Sequence, residues 1–300
     1  MSAELSVILV TDSFDAIATA LARYRAATDP ARVELVVAAV AADPRLTEAS
    51  LNGAGFPNAR VVDGGDGTLQ DAEWRAFQAT TAPLVVFGQA HVFPRPGFGA
   101  AIRSAWAEGR AAVVGPAIAN ANPATLISRA AMWLSFGRWM DDPPRGAWPD
   151  VPGHNSAYDR AALSDLGDDL VRYLEAGWQL QAALAARGHR CFLEPAARMD
   201  VVNPSRLGPF VAHFFHLGRL VAAQRCQRWS AVRRLAYALG SPLIPLVRLQ
   251  RIVGDSLRRR THAPWSGVPL LVLGLVASAA GEATAFLFGP GPPSRFVRKA

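Results

Sequence analysis

The chain of 300 residues is long enough for one large α/β domain with an appendage, and at 51% hydrophobic and 18% charged it can bury a sizeable core and leave apolar surface over. Its net charge of +7 divides sharply: residues 1–204 hold 17 arginines against 22 acids, a net of −5, whereas residues 205–300 hold 13 arginines and Lys299 against Asp255 and Glu282, a net of +12. Cys191 and Cys226 alone exclude a disulfide framework and a cysteine metal site. The start Met1-Ser2-Ala3-Glu4-Leu5 lacks the basic run of a secretory signal, so the first domain is expected to face the cytosol.

Leu5–Val10 is a continuous apolar run ending at Thr11-Asp12-Ser13, as expected of a strand buried on both faces. Asp12 or Ser13 is placed to cap the next helix, where Phe14, Ile17, Ala18 and Leu21 keep helical spacing. Val33–Val40 reads as a second buried strand, Ala59–Val62 as a short third, and Asp63–Gly67 as a flexible turn. A helix from Leu69 to Thr80 then leads into strand Leu84–Phe87. A further helix ends near Gly109 and is followed by strand Ala111–Val114, a helix over Pro123–Trp139 and a Pro-rich loop from 141 to 153. The last elements of this part are His154–Arg160, a helix over Leu170–Arg187 and strand Arg190–Leu193, with Cys191 read as a buried thiol. Strands alternating with helices predict an α/β fold, a mostly parallel sheet covered on both sides.

From Arg206 the pattern changes. Pro209–Tyr237 reads as one helix with Phe210, Phe214, Leu217, Leu220 and Val221 on one side and arginines elsewhere, and Leu246–Arg260 repeats the theme. Basic amphipathic helices suit an anionic membrane surface, or pack on a domain with a solvated basic face. Residues 263–281 carry no charge, at the lower edge of a spanning length. Pro264, Pro269, the glycines, Glu282 and the basic end at Arg295, Arg298 and Lys299 favour a re-entrant or interfacial hairpin over a single span or a buried hairpin. The expected division is therefore 1–204, 205–262 (basic amphipathic helices) and 263–300 (apolar, membrane-associated). Nucleic acid is the weaker partner for the basic part, because the region is apolar and carries no recognition motif.

The order of several segments is more specific. Leu5–Asp12, Val33–Val40, Ala82–Phe87 with Gln89–Pro94, Pro96-Gly97-Phe98, Val114-Gly115-Pro116, Pro152–Arg160, Leu180–His189, Glu194-Pro195 and Gly218-Arg219 together resemble inverting family 2 glycosyltransferases of the GT-A fold. The resemblance covers about residues 4–230. It implies transfer of a sugar from a nucleotide diphosphate donor to a hydroxyl, with a divalent cation or cationic side chains neutralising the leaving group.

The resemblance also implies where the chemistry sits, and this chain departs at each place. Gln89-Ala90-His91 stand where the family carries Asp-x-Asp for Mg²⁺ or Mn²⁺, so Gln89 and His91 are the candidate metal and donor contacts. The general-base position falls at Ala176-Gly177, which makes Glu175 the nearest carboxylate and, with His91, the candidate catalytic pair. The metal-assisting histidine falls near Val201 and the acidic nucleoside contact at Ala38-Ala39. Thr11 and Asp12, at the carboxyl end of the first strand, and Arg75, before the strand ending at Gly88, complete the donor candidates; Arg75 has a surface reading as well. His154 and Asn155 match the acceptor segment. Two readings follow: a membrane-associated glycosyltransferase acting on a lipid-linked or cell-envelope glycan, or a non-catalytic GT-A domain that binds a glycan or partner.

Overall fold

The computed structural model describes residues 2–109, 111–140, 142–227, 229–259 and 265–289. The chain opens with β1 (Leu5–Thr11), α1 (Phe14–Ala27), β2 (Val33–Ala39), α2 (Glu48–Gly53), β3 (Ala59–Asp63) and α3 (Leu69–Gln78). β4 (Leu84–Phe87), β5 (Val92–Pro94), α4 (Phe98–Ala107), β6 (Val113–Asn120) and α5 (Leu126–Phe136) follow. Next come β7 (Gly146–Trp148), β8 (Ala157–Asp159), α6 (Arg160–Ser164), α7 (Leu170–Leu174), α8 (Gly177–Ala185) and β9 (Cys191–Val201). The C-terminal helices are α9 (Leu207–Arg225), α10 (Ala231–Gly240), α11 (Ile244–Arg259) and α12 (Val268–Phe288). Two compact units result, Met1–Ala119 with Asp142–Val201, and Asn120–Asp141 with Val202–Pro293.

The first unit is the expected α/β fold. Its sheet runs β3-β2-β1-β4-β8-β6-β9-β5, with β7 beside β9. β3, β2, β1 and β4 are parallel, and β8 turns the direction by pairing antiparallel with both β4 and β6. Leu5, Val7, Ile8 and Leu9 of β1 and Leu35, Val36 and Val37 of β2 are all buried, which is why these strands read as apolar runs broken at one position each, Ser6 and Glu34. At the amino end of the sheet, buried Glu34 accepts from Ser6 Oγ (2.6 Å), Thr81 N (2.7 Å), Thr81 Oγ1 (3.1 Å) and Ala82 N (3.3 Å), tying β1, β2 and the entry to β4 together. At the carboxyl end, Gly88 N donates to Ile8 O (2.8 Å), and a β-carbon there would lie 2.8 Å from Leu9 Cδ2 and 3.0 Å from the Tyr24 hydroxyl. A larger residue at this exit from β4 would have to displace Leu9 and Tyr24.

Several local expectations are corrected. Ser13 is the N-cap of α1 but its side chain makes no capping bond; Asp43 Oδ2, reaching over from beyond β2, accepts from Phe14 N instead (2.9 Å). The helix over 170–187 is two helices, because Ala176 is extended (φ −141°, ψ 103°) between α7 and α8. The last strand continues to Val201, since its far end pairs with β5.

The second unit is helical. The single helix over 209–237 breaks after Arg225, and Ser230 caps a new helix through Arg233 N. The expected hairpin is absent among the described residues: α12 is one helix of 21 residues, and residues 290–300 lie outside those described. Pro269 does not interrupt it, because in the first turn no proline N–H is needed. Gly274 and Gly281 do not weaken it, because they are contact points: a β-carbon on Gly281 would overlap Phe215 O, and one on Gly218 of α9 would overlap Ser278 O. α12 is long and apolar enough to cross a membrane by length and composition alone. In this unit it is the helix on which α5, α9, α10 and α11 pack, with Leu271, Leu275, Ala285 and Phe286 buried. Glu282 is buried too, and its Oε1 accepts from Arg248 Nη2 at 2.7 Å.

Candidate active site

Open α/β sheets bind ligands at the carboxyl ends of their parallel strands, and most of the candidate residues gather there. Thr11, the last residue of β1, spends its hydroxyl closing the turn, donating to Ser13 O (2.7 Å) and accepting from Ser13 N (3.2 Å). It shapes the loop rather than facing a ligand. Asp12 is half-buried and accepts from Ser13 Oγ at 3.1 Å. Gln89 follows β4, half-buried, and its Oε1 accepts from Asn155 Nδ2 at 3.2 Å; His91 is exposed two residues on.

The loop before β8 brings His154 and Asn155 to the same edge. Asn155 N donates to Phe87 O (3.0 Å), the last residue of β4. Asn155 adopts φ 68°, a left-handed conformation that asparagine tolerates better than most residues. The loop is held from beneath: Gln181 of α8 exchanges two bonds with the Val151 backbone (3.0 Å each), Tyr158 OH donates to Gly153 O, and Ser156 Oγ donates to Pro152 O. Behind it stands Glu73 of α3, whose Oε1 is 3.9 Å from His154 Nε2. Burial pushes the Glu73 carboxyl up to about 8 and holds His154 below the usual histidine range. The pair is thus a neutral acid beside a neutral imidazole at pH 7, too far apart for a hydrogen bond, not an ion pair. Two buried oxygens in this cluster, Glu73 Oε2 and Asn155 Oδ1, have no partner among the described residues. Such atoms are rare in folded proteins, and each calls for a water, an ion or a ligand to satisfy it.

Glu73 was not singled out from the sequence. The signal was present: it falls three residues before Ala76 and four before Phe77, so a carboxylate sits on the apolar stripe of its helix.

The remaining candidates lie apart or at the margin. Arg75 is exposed on α3 and folds over the 63–67 turn, with its Cζ 3.1 Å from where a β-carbon on Gly65 would stand. Glu175 is half-buried at the joint of α7 and α8. The base position beside it is closed to side chains: a β-carbon on Gly177 would overlap Gly153 Cα, and one on Gly153 would lie 2.8 Å from Gly177 Cα. Gly177→Asp is therefore expected to cost about 2–4 kcal/mol by overpacking and to add no turnover; urea unfolding alongside an assay checks both. Among the described residues no three His, Cys, Asp or Glu side chains converge on a possible metal. Gln89 and His91 offer two donors and no carboxylate, so these two alone hold a Mg²⁺ or Mn²⁺ ion only where a ligand supplies the remaining donors. A cavity of about 610 Å³ opens elsewhere, between Gly109, Ala112, Gly146, Gly188 and Phe192, and among the described residues His189 and Arg190 are its chemistry-bearing lining.

No protein-family model matches the sequence. No curated protein matches it either. Solved structures do. The mannosyltransferase PcManGT from Pyrobaculum calidifontis, in complex with GDP-Man and Mn²⁺, superposes with a TM-score of 0.57 at 16% identity, over 93% of this chain and 86% of that one. GalNAc-T7 with UDP, GalNAc and Mn²⁺ (TM-score 0.49, 11% identity, 71% of this chain) and S. aureus TarS 1-349 (0.49, 14%, 76%) are also similar. The chain spans 47% of the GalNAc-T7 chain and 66% of the TarS one. The protein has the GT-A fold.

Proposed function

We propose that the protein is a glycosyltransferase that moves a sugar, with inversion, from a nucleotide diphosphate donor to a hydroxyl of a lipid-linked or cell-envelope glycan. The observation that carries this reading is the pair of unpartnered buried oxygens, Glu73 Oε2 and Asn155 Oδ1, at the carboxyl edge of the parallel strands in a GT-A fold. In this reading Asp12, Gln89 and His91 face the donor, Arg75 meets the diphosphate by moving off the 63–67 turn, and His154 and Asn155 position the acceptor. Glu175 takes the acceptor proton as the hydroxyl oxygen attacks the anomeric carbon and the nucleoside diphosphate leaves with the bonding electrons. A Mg²⁺ or Mn²⁺ ion arriving with the diphosphate would help to neutralise that leaving charge, with Gln89 and His91 as the protein donors. The protein works at the cytoplasmic face of the plasma membrane, held there by its basic C-terminal helices.

Titration with UDP-, GDP- and dTDP-sugars, with and without Mn²⁺, tests the reading; saturable binding of one of them supports it and binding of none overturns it. With the preferred donor, His91→Ala and Glu175→Gln are each expected to cut turnover about 10²–10⁴-fold with folding intact. A second reading, a GT-A domain that binds a glycan or partner without turnover, is favoured by the closed base position at Gly177. Donor binding with no turnover in the wild type, unchanged by either substitution, selects it.

A further inference from the structure

The C-terminal unit buries a core but also exposes a run of large apolar residues on α10 and α11. Val232, Leu235 and Leu239 stand three and four residues apart on α10 and are 80%, 52% and 74% exposed. Leu243, in the turn between α10 and α11, and Leu246 of α11 follow at 64% and 68%. Soluble surfaces seldom expose so large a contiguous apolar patch without a function.

Behind the ridge is a cavity of about 450 Å³, and its lining has two parts. One is apolar. Trp229 stacks on Phe286 (centroids 5.7 Å, planes 12° apart), and Tyr237 closes on both at 4.5 and 5.8 Å. The other is cationic: Arg225, Arg248 and Arg251 line the same space against the single carboxylate Glu282. Glu282 is 2% exposed and bound to Arg248, which Ser278 Oγ also holds at 3.0 Å, so the ion pair fixes a guanidinium at the cavity wall rather than cancelling the rim. Arg233 packs over the Trp229 ring at 4.2 Å, and Arg234 Nε donates to Phe286 O at 2.8 Å, which adds positive charge close by.

An apolar slot of this size with an arginine rim, opening beside an exposed apolar ridge, matches an amphiphile with an anionic head. Arginine suits a phosphate because its fork of donors meets two oxygens at once. A phosphate at the rim would sit at headgroup depth while the ridge enters the acyl boundary, the geometry of an interfacial helix. We propose that this cavity seats one phosphate-bearing lipid of an anionic bilayer, with its chain against Trp229, Tyr237 and Phe286 and the Val232–Leu246 ridge embedded around it. The inference uses the C-terminal helices alone and stands whether or not the first unit binds a nucleotide-sugar.

Flotation of the full chain with vesicles tests it without any sugar donor. Vesicles of phosphatidylcholine with 30% phosphatidylglycerol should bind at least tenfold more tightly than phosphatidylcholine alone. Leu239→Asp with Leu246→Asp, both at exposed positions, should lower binding to either vesicle at least tenfold. Arg251→Glu should weaken only the anionic vesicle, about five- to twentyfold. Ala236→Trp, which fills the mouth of the cavity without changing charge, should reduce the preference for the anionic lipid and leave the ridge's partitioning in place. Circular dichroism of each variant confirms that the helices remain. Equal binding to the two vesicle types, indifference to all the substitutions, release by millimolar inorganic phosphate, or tighter binding to duplex DNA than to the anionic vesicle would each overturn the proposal.

Discussion

Gly281→Val is expected to unfold the C-terminal helical unit, with a loss of about 4 kcal/mol or more. The magnitude follows from what the new side chain meets. A β-carbon at Gly281 overlaps the carbonyl oxygen of Phe215 and comes within 2.8 Å of Arg219 N, and both are backbone atoms of α9. No rotamer change relieves a clash with a backbone, so α9 and α12 must separate. Gly218 makes the reciprocal contact on Ser278 O, so the two helices touch at two glycines one turn apart in the seam. Separation would strip Phe210, Phe214 and Leu271 from the cluster they share with Ala130 and Ala131 of α5. Gly254→Ala is the control: its β-carbon meets nothing within 4 Å, and the substitution should stabilise α11 by about 0.5–1 kcal/mol. Urea unfolding followed by tryptophan fluorescence, with Trp133 and Trp229 in this unit, separates the outcomes. A Gly281→Val midpoint close to wild type would show that the helices do not need this approach.

The same seam shows what a sequence conveys and what it hides. β1 and β2 were legible because strands buried on both faces are apolar at nearly every position: Leu5–Val10 departs from this at Ser6 and Val33–Val40 at Glu34, and those two side chains bond each other. Gly218 and Gly281 were not, because a glycine in an apolar helix reads as a weakness until its neighbour is known. Glycine helped to favour a hairpin in the apolar C-terminal segment, where the structure has one helix over Val268–Phe288. The break between α7 and α8 was hidden for a related reason: Ala176 is a good helix former, and its extended conformation accompanies a long-range approach of Gly177 to Gly153. Long-range caps were hidden as well, since Phe14 N finds its acceptor in Asp43, which no local rule pairs with it. At the candidate site Gln89 and Asn155 meet because each follows or precedes a strand end that the fold fixes, a contact the segment order alone did not state. Glu73 arrives there from the side, on a helix whose face is set by tertiary packing.

Glu73→Gln is expected to leave stability unchanged at about pH 4 and to raise it by roughly 2–4 kcal/mol at pH 8.5. The buried carboxyl has its pKa pushed up to about 8 from an ordinary 4.5. Below the ordinary value both folded and unfolded chains hold the proton, so the residue imposes no penalty. Between the two values the unfolded chain ionises freely while the folded one keeps its proton. Stability therefore falls as pH rises through this window, and the loss is complete above the folded value. His154, held below its usual range, adds a loss on the acid side of pH 6.5, so the informative quantity is the difference between Glu73→Gln and wild type at each pH.

Glu34 provides the opposite case in the same domain. Burial would raise its carboxyl, but bonds from Ser6, Thr81 and Ala82 outweigh that and leave it below the ordinary value, so its contribution is lost as pH falls. Glu34→Gln should accordingly destabilise at pH 7 and less so at pH 3. Two buried glutamates on neighbouring elements thus carry opposite charge states at pH 7, and the number of donors around each decides which. A flat difference for Glu73→Gln from pH 5 to 8.5 would mean that the carboxyl has found a partner and is ionised. A rising difference would leave a protonated acid with a free oxygen at the edge of the sheet, able to donate one hydrogen bond and accept another, which is what a sugar hydroxyl requires of the group that holds it.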